Sequence, residues 1–142
     1  MLPVTFAHMA LNCQDPIALE KFYTTHFGFQ RVRVVPIPDG QIVFIRSGHL
    51  TFELFQATKP TPTASPTDDG YQFPGWRHIS FQVENVDAKL NELTDQVQVM
   101  LGPLDFDEVI PGWRSAWVAD PEGNIVEITQ GFVDQENPPS LT

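Results

Sequence analysis

The sequence predicts an α+β fold made of two copies of one β-α-β-β-β module. Each half opens on an apolar strand candidate that carries a histidine, passes through a short capped helix, and ends on three strand candidates whose last member carries a glutamate. The stretch between the halves, residues 59–70, is rich in Pro, Thr and Asp and can sustain neither a helix nor a central strand. The polar residues also fall at matching points: 45 residues separate His8 from Glu53, and 49 separate His78 from Glu127.

In the first half, residues 5–12 (Thr-Phe-Ala-His-Met-Ala-Leu-Asn) form the opening strand candidate. Asp15-Pro16 supplies an N-cap followed by proline at the first helical position. Leu19, Phe22, Tyr23 and Phe27 then recur at helical spacing until Gly28 stops the pattern. Three strands are predicted at about residues 30–35, 41–46 and 50–57, with turns at Pro38-Asp39-Gly40 and Ser47-Gly48. The second half repeats the order: a strand over about 76–83, Asn85 as N-cap, and Val86, Leu90 and Leu93 on one helix face. Strands at about 98–104, 113–119 and 124–130 follow, the last two joined by the turn Asp120-Pro-Glu-Gly123. The expected organisation is one domain over 1–142, with a first module at 4–58, a linker at 59–75, a second module at 76–131 and a frayed tail at 132–142.

Composition narrows the function classes. At 42% hydrophobic and 11% aromatic residues the chain has the material for a core, so disorder is not expected. With 18 Asp and Glu against 8 Lys and Arg there is no basic stripe for a phosphate backbone, which argues against nucleic acid or an anionic membrane as partner. Cys13 is the only cysteine, so an intrachain disulfide and a Cys-rich zinc site are both excluded, and a buried structural thiol is expected. No cationic-then-apolar leader and no membrane-length apolar run are visible, which predicts a cytoplasmic location.

Side chains alternate across a strand, so each polar residue belongs to one face. In Leu50-Thr-Phe-Glu-Leu-Phe55, Phe52 and Leu54 are expected to face the helix and Glu53 the opposite, concave side. In Asn124-Ile-Val-Glu-Ile-Thr129, Val126 and Ile128 face the helix and Glu127 points inward. A lone strand histidine is usually a satisfied structural residue, and a lone strand glutamate usually meets water. Four such residues at equivalent points of a repeat are different, because two buried carboxylates without a cation carry a large desolvation cost. Two neutral imidazoles and two carboxylates suit one borderline divalent ion such as Ni, Zn, Fe, Mn or Co, and do not suit a six-oxygen calcium site.

Other polar residues carry weaker expectations. Arg33 alternates with Val32 and Val34, and a solvated edge arginine is the better reading than one entering the pocket. His26 and His49 are read as surface residues. Trp76, Trp113 and Trp117 are read as core or dimer-contact residues rather than an aromatic ligand box.

His8, Glu53, His78 and Glu127, placed in the first, fourth, fifth and eighth strands, resemble the ligand set of the vicinal oxygen chelate superfamily, which includes glyoxalase I, bleomycin-resistance proteins and extradiol dioxygenases. Phe22-Tyr23 ahead of Phe27-Gly28-Phe29 is similar to that family's first helix, and Asp120-Pro-Glu-Gly-Asn-Ile-Val-Glu127 to its closing hairpin. The resemblance covers about residues 4–131. It implies two βαβββ modules forming a curved, cup-like sheet around a metal site, a small-molecule substrate and a homodimer.

The complete His-Glu-His-Glu set is most like glyoxalase-I-type members. It implies a metal-dependent lyase/isomerase acting on a small α-hydroxy-carbonyl or hemithioacetal by proton transfer through a metal-stabilised enediolate, with Glu127 or Glu53 as base. No matching set of basic glutathione-binding residues is found, which leaves glutathione as co-substrate open. The alternatives are an Fe(II)-dependent extradiol-type dioxygenase, an epimerase, and a bleomycin-resistance-like binding protein.

Overall fold

The computed structural model describes residues 1–141; Thr142, the end of the expected tail, lies outside the described residues. In chain order the elements are β1 (Met9–Cys13), α1 (Pro16–His26), β2 (Gln30–Ile37), β3 (Gly40–Ser47), β4 (Leu50–Gln56), β5 (Ile79–Gln82), α2 (Val86–Leu93), β6 (Val99–Asp105), β7 (Arg114–Ala119) and β8 (Ile125–Gln130), with a single 3-10 turn at Thr94–Gln96. They form two four-stranded sheets of matching topology, β1-β4-β3-β2 and β5-β8-β7-β6. In each sheet the first strand pairs parallel with the last, and the remaining pairs are antiparallel. The fold is α+β with the repeat that the sequence predicts.

One placement differs. The first ladder starts at Met9 opposite Phe52 and the second at Ile79 opposite Val126, so His8 and His78 each stand one residue before their strand rather than inside it. Apolar patterning marks a strand's face but not the residue at which hydrogen-bonded pairing begins.

The chain divides into two compact units, one of residues 1–64 with 120–122, the other of residues 65–119 with 123–142. In the first, α1 starts as its sequence dictates: Pro16 occupies the first turn, and the Asp15 side chain accepts the Ala18 amide at 3.0 Å. Gly28 closes the helix with φ of +68°, a left-handed conformation that glycine adopts without strain. Leu19, Phe22 and Tyr23 are buried against the sheet. Tyr23 meets Phe52 edge-on at 5.0 Å, and Phe29 stacks on Phe52 at 5.0 Å. Phe52 therefore faces the helix, as expected; such aromatic pairs are worth roughly 0.5–1.5 kcal/mol each beyond their buried area.

Asp120–Glu122 joins this unit through hydrogen bonds. The Tyr23 hydroxyl donates to Asp120 Oδ2 at 2.9 Å, and Asp120 Oδ1 accepts the Glu122 amide at 2.9 Å. The Glu122 carboxylate in turn accepts the amides of Gln14 and Asp15 at 2.8 and 2.7 Å, placing negative charge just ahead of the positive end of α1.

In the second unit the Asn85 side chain caps α2 by accepting the Ala88 amide at 2.8 Å, and Gln130 Oε1 accepts the Val86 amide at 2.7 Å. Val86 and Leu93 are buried, as are Ala116, Val118, Val126 and Ile128 of β7 and β8. Between β4 and β5 the chain has no helix or strand, in keeping with its Pro-rich composition. Among the described residues no helix is long and apolar enough to cross a membrane.

Two buried acids tie stability to alkaline pH. Burial, with Glu122 and Asp120 nearby, pushes the Cys13 thiol up from 9.0 to about 12. Burial and Asp120 hold the Tyr23 hydroxyl well above its ordinary value of 10.0. Both groups keep their protons in the folded state where the unfolded chain releases them, so their contribution is complete below about pH 9 and is lost as pH rises toward the folded values. Urea midpoints should hold level up to about pH 9 and then decline, and Cys13→Ala should make that decline shallower. A midpoint that rises above pH 9 would contradict the buried-acid assignment.

Candidate metal centre

Each unit brings one histidine and one glutamate together. His8 Nε2 lies 3.1 Å from Glu53 Oε2, and His78 Nε2 lies 3.0 Å from Glu127 Oε2. The strand registers that produce the two pairs are the same. Ala10, two residues after His8, is the Cα partner of Glu53, and Ser80, two residues after His78, is the partner of Glu127. On its other side each glutamate is opposite an aromatic residue, Phe44 for Glu53 and Trp117 for Glu127. Directly opposed residues share a sheet face, so each glutamate has an aromatic neighbour on the face away from the helix. Those aromatics meet the histidines edge-on: His8 with Phe44 at 5.8 Å, and His78 with Trp117 at 6.3 Å.

The second pair is the more firmly held. His78 Nδ1 lies 2.8 Å from the Asp69 carbonyl oxygen. A carbonyl can only accept, so Nδ1 carries a hydrogen and the ring is oriented by that bond. Nε2 then faces the Glu127 carboxylate, and two acceptors do not sit 3.0 Å apart unless a proton or a metal cation lies between them. Glu127 is buried, and its side chain is 11% exposed, against 16% for Glu53. The His8 side chain is 43% exposed and that of His78 21%.

Donor chemistry and spacing in each pair fit two ligands of a divalent ion. Two ligand atoms bound at right angles to one ion, each at about 2.1 Å, stand roughly 3.0 Å apart. A further mark of an incomplete polar environment lies beside the second pair: Trp117 Nε1 is buried and has no hydrogen-bond partner among the described residues. Further along the same face, Ser115 Oγ and Thr129 Oγ1 are 2.7 Å apart, and Trp113 Nε1 donates to Thr129 Oγ1 at 2.9 Å. No group of three or more His, Cys, Asp or Glu is gathered at metal-binding distance among the described residues; the four candidates form two pairs, one per unit.

The remaining expectations fare unevenly. Cys13 is fully buried and Trp76 and His49 are exposed, whereas His26 is half-buried and packs its ring against Phe22 at 5.4 Å, because the last turn of α1 still faces the aromatic cluster. Trp117 borders the His78–Glu127 pair rather than serving only as core. Repeat alignment carries the signal for this, since Phe44 and Trp117 precede their glutamates by nearly the same distance. The Asp69 carbonyl has no such signal, being a backbone group placed by a turn. A groove of about 800 Å³ runs beside α2, lined by residues that include Val83, Asn85, Ala88 and Lys89, and none of the four candidate ligands borders it.

The chain belongs to the Glyoxalase/Bleomycin resistance protein/Dioxygenase superfamily, whose family model matches residues 5–128. Among solved structures it is similar to a lactoylglutathione lyase from Agrobacterium tumefaciens, with 26% identity, 91% of this chain and 95% of that one covered, and a TM-score of 0.58. A glyoxalase family protein from Enterococcus faecalis shares 23% identity over 88% of this chain and 96% of its own, with a TM-score of 0.66. An antibiotic binding protein from Streptomyces shares 20% identity over 92% and 100%, with a TM-score of 0.61. No relative is found among curated proteins.

The turn that anchors His78 depends on Gly70. Its φ is +84°, and a Cβ there would stand 2.0 Å from the Arg77 carbonyl oxygen. Gly70→Ala should therefore cost about 1–3 kcal/mol in urea unfolding and release His78 from the Asp69 carbonyl. Imidazole ¹⁵N shifts read the second effect directly. An unchanged His78 tautomer in Gly70→Ala would show that the turn does not position the ring.

Proposed function

We propose that His8, Glu53, His78 and Glu127 hold one divalent metal ion, with Ni, Zn or Co favoured. On this reading the chain is a metal-dependent lyase/isomerase of the glyoxalase I type, acting on a small α-hydroxy-carbonyl or hemithioacetal substrate. The observation that supports this most is the pair of equivalent His–Glu contacts at 3.1 and 3.0 Å, built by the same register in both halves of the repeat. The 26% identity to a lactoylglutathione lyase along nearly the whole chain supports it too. In this reading the four ligands come from one chain or from two, and the working molecule is a homodimer.

A divalent ion in this donor set supplies Lewis acidity toward two neighbouring substrate oxygens. The carboxylates supply the proton chemistry. One glutamate takes a proton from the carbon beside the carbonyl and returns it to the adjacent carbon, so substrate and product are isomers and no external acid is consumed. Glu53, the less buried of the two and paired with the more exposed histidine, is assigned as the mobile base. Glu127, whose histidine is anchored to Asp69, is assigned as the fixed ligand. Phe44 and Trp117 border the pairs with apolar surface that strengthens electrostatic interactions beside them.

Protein purified without chelator or nickel resin should carry stoichiometric metal by elemental analysis. His8→Ala and Glu127→Ala should each lose it while keeping their circular dichroism. Full metal content in both folded variants would remove the metal assignment.

Turnover should proceed anaerobically with Ni, Co or Zn, and Glu53→Gln should lower kcat by about 10²–10⁴-fold. Activity restricted to Fe(II) with O₂ would place the protein in the dioxygenase branch, and activity that survives Glu53→Gln would favour an epimerase. A binding-protein reading draws on one feature, the aromatic cluster in which Phe106 meets Trp113 at 4.8 Å and Trp117 at 6.3 Å. Tight aromatic-ligand binding without turnover of thiol adducts or 2-oxo acids would favour that reading.

A further inference from the structure

We propose that Arg33 and Arg46 form an oxyanion subsite on the helix-free face of the first sheet, and that the substrate carries a carboxylate or phosphoryl group. This deepens the reading above by naming a charge on the substrate, and it rests on that face being the one the substrate meets.

The placement follows from register. Glu53 is opposite Phe44 across β4 and β3, and Phe44 is opposite Arg33 across β3 and β2. Opposed residues share a face, so Arg33 stands on the face of the His8–Glu53 pair. Arg46 follows Phe44 by two residues and shares its face, opposite Thr51, which precedes Glu53 by two. Arg46 Nε donates to the buried Thr51 hydroxyl at 2.8 Å, which orients the guanidinium and leaves its terminal amino groups without a partner among the described residues.

Charge pairing separates these two arginines from the rest. Arg31 is paired with Glu20, Arg77 with Asp69, and Arg114 with both Asp87 and Asp105. Arg33 and Arg46 have no carboxylate partner among the described residues, in a chain with 18 acidic residues and only 8 basic ones. Guarding an exposed edge against strand pairing accounts for an arginine on β2, but Arg46 lies on the interior strand β3, where no edge needs guarding. A guanidinium fork matches two oxygens of a carboxylate or phosphoryl group. A molecule with formal charge −10 also repels anions in general, so an anionic substrate requires a local cationic patch where it docks. Glu53 and Arg33 lie on strands two apart, roughly 10 Å at the backbone, which limits the substrate to a few carbons between its reacting centre and its anionic end.

The test uses metal-free protein and two probes, inorganic phosphate and acetate, at constant ionic strength. The five arginine Nε–H signals are followed by ¹H–¹⁵N spectra and assigned with Arg→Lys variants. Saturable shifts of Arg33 and Arg46, with Arg31, Arg77 and Arg114 unmoved, are expected for at least one probe. Arg33→Gln and Arg46→Gln should each weaken that binding roughly ten-fold, and Arg46→Lys should weaken it less. Absent shifts, or equal non-saturating shifts of all five signals, would overturn the subsite. Metal content is measured on separate samples, so a failed metal assignment and a failed anion subsite are told apart.

Discussion

The parallel ladder between the first and last strands of each half is the constraint from which the histidine and glutamate of each pair take their positions. A helix carries the chain away from the first strand, and two antiparallel turns bring the last strand back beside it. The ladder then sets the glutamate opposite the residue two beyond the histidine, in both halves. A slip of one residue would exchange the faces of Glu53 and Phe52, burying a charge under α1 and exposing an aromatic ring. The apolar packing of Phe52 with Tyr23 and Phe29 thus holds the register on which the His8–Glu53 contact depends. Core packing and site geometry are one constraint here.

The halves share this register but differ in what surrounds it. Beside Glu53 the helix-free face carries Phe44, a buried threonine and two arginines. Beside Glu127 it carries indoles and hydroxyls, with a buried Trp117 N–H that has no partner among the described residues. His78 is oriented through the Asp69 carbonyl, whereas His8 is more exposed. A duplicated scaffold therefore presents two chemically distinct surfaces, one with two arginines and the more exposed histidine, the other with indoles, hydroxyls and the more buried histidine–glutamate pair.

The closing turn before β8 illustrates how a polar cluster can be structural. Asp120 is buried, yet it accepts bonds from the Tyr23 hydroxyl and the Glu122 amide, and the Glu122 carboxylate satisfies two amides ahead of α1. Each group has a partner, so the desolvation cost is offset and the cluster holds the turn on the helix. Cys13 lies close by, fully buried with its thiol raised by burial, and it has the character of a packing residue, not a nucleophile.

Much of this was legible in the amino-acid order. Period-2 and period-3.6 patterning, Asp15-Pro16, Gly28 and Asp120-Pro-Glu-Gly123 determined the element order and the repeat, because turns and caps act over a few residues. Alternation alone placed Glu53 opposite the helix-facing Phe52 and Leu54. Tertiary structure decided what depends on separated segments. It moved both histidines to the residue before their strands, since pairing begins where two distant segments meet. It brought Phe44, Trp117, Arg33 and Arg46 alongside the glutamates through cross-strand register. And it supplied the Asp69 carbonyl to His78, a contact between a side chain and a backbone group that residue type does not encode.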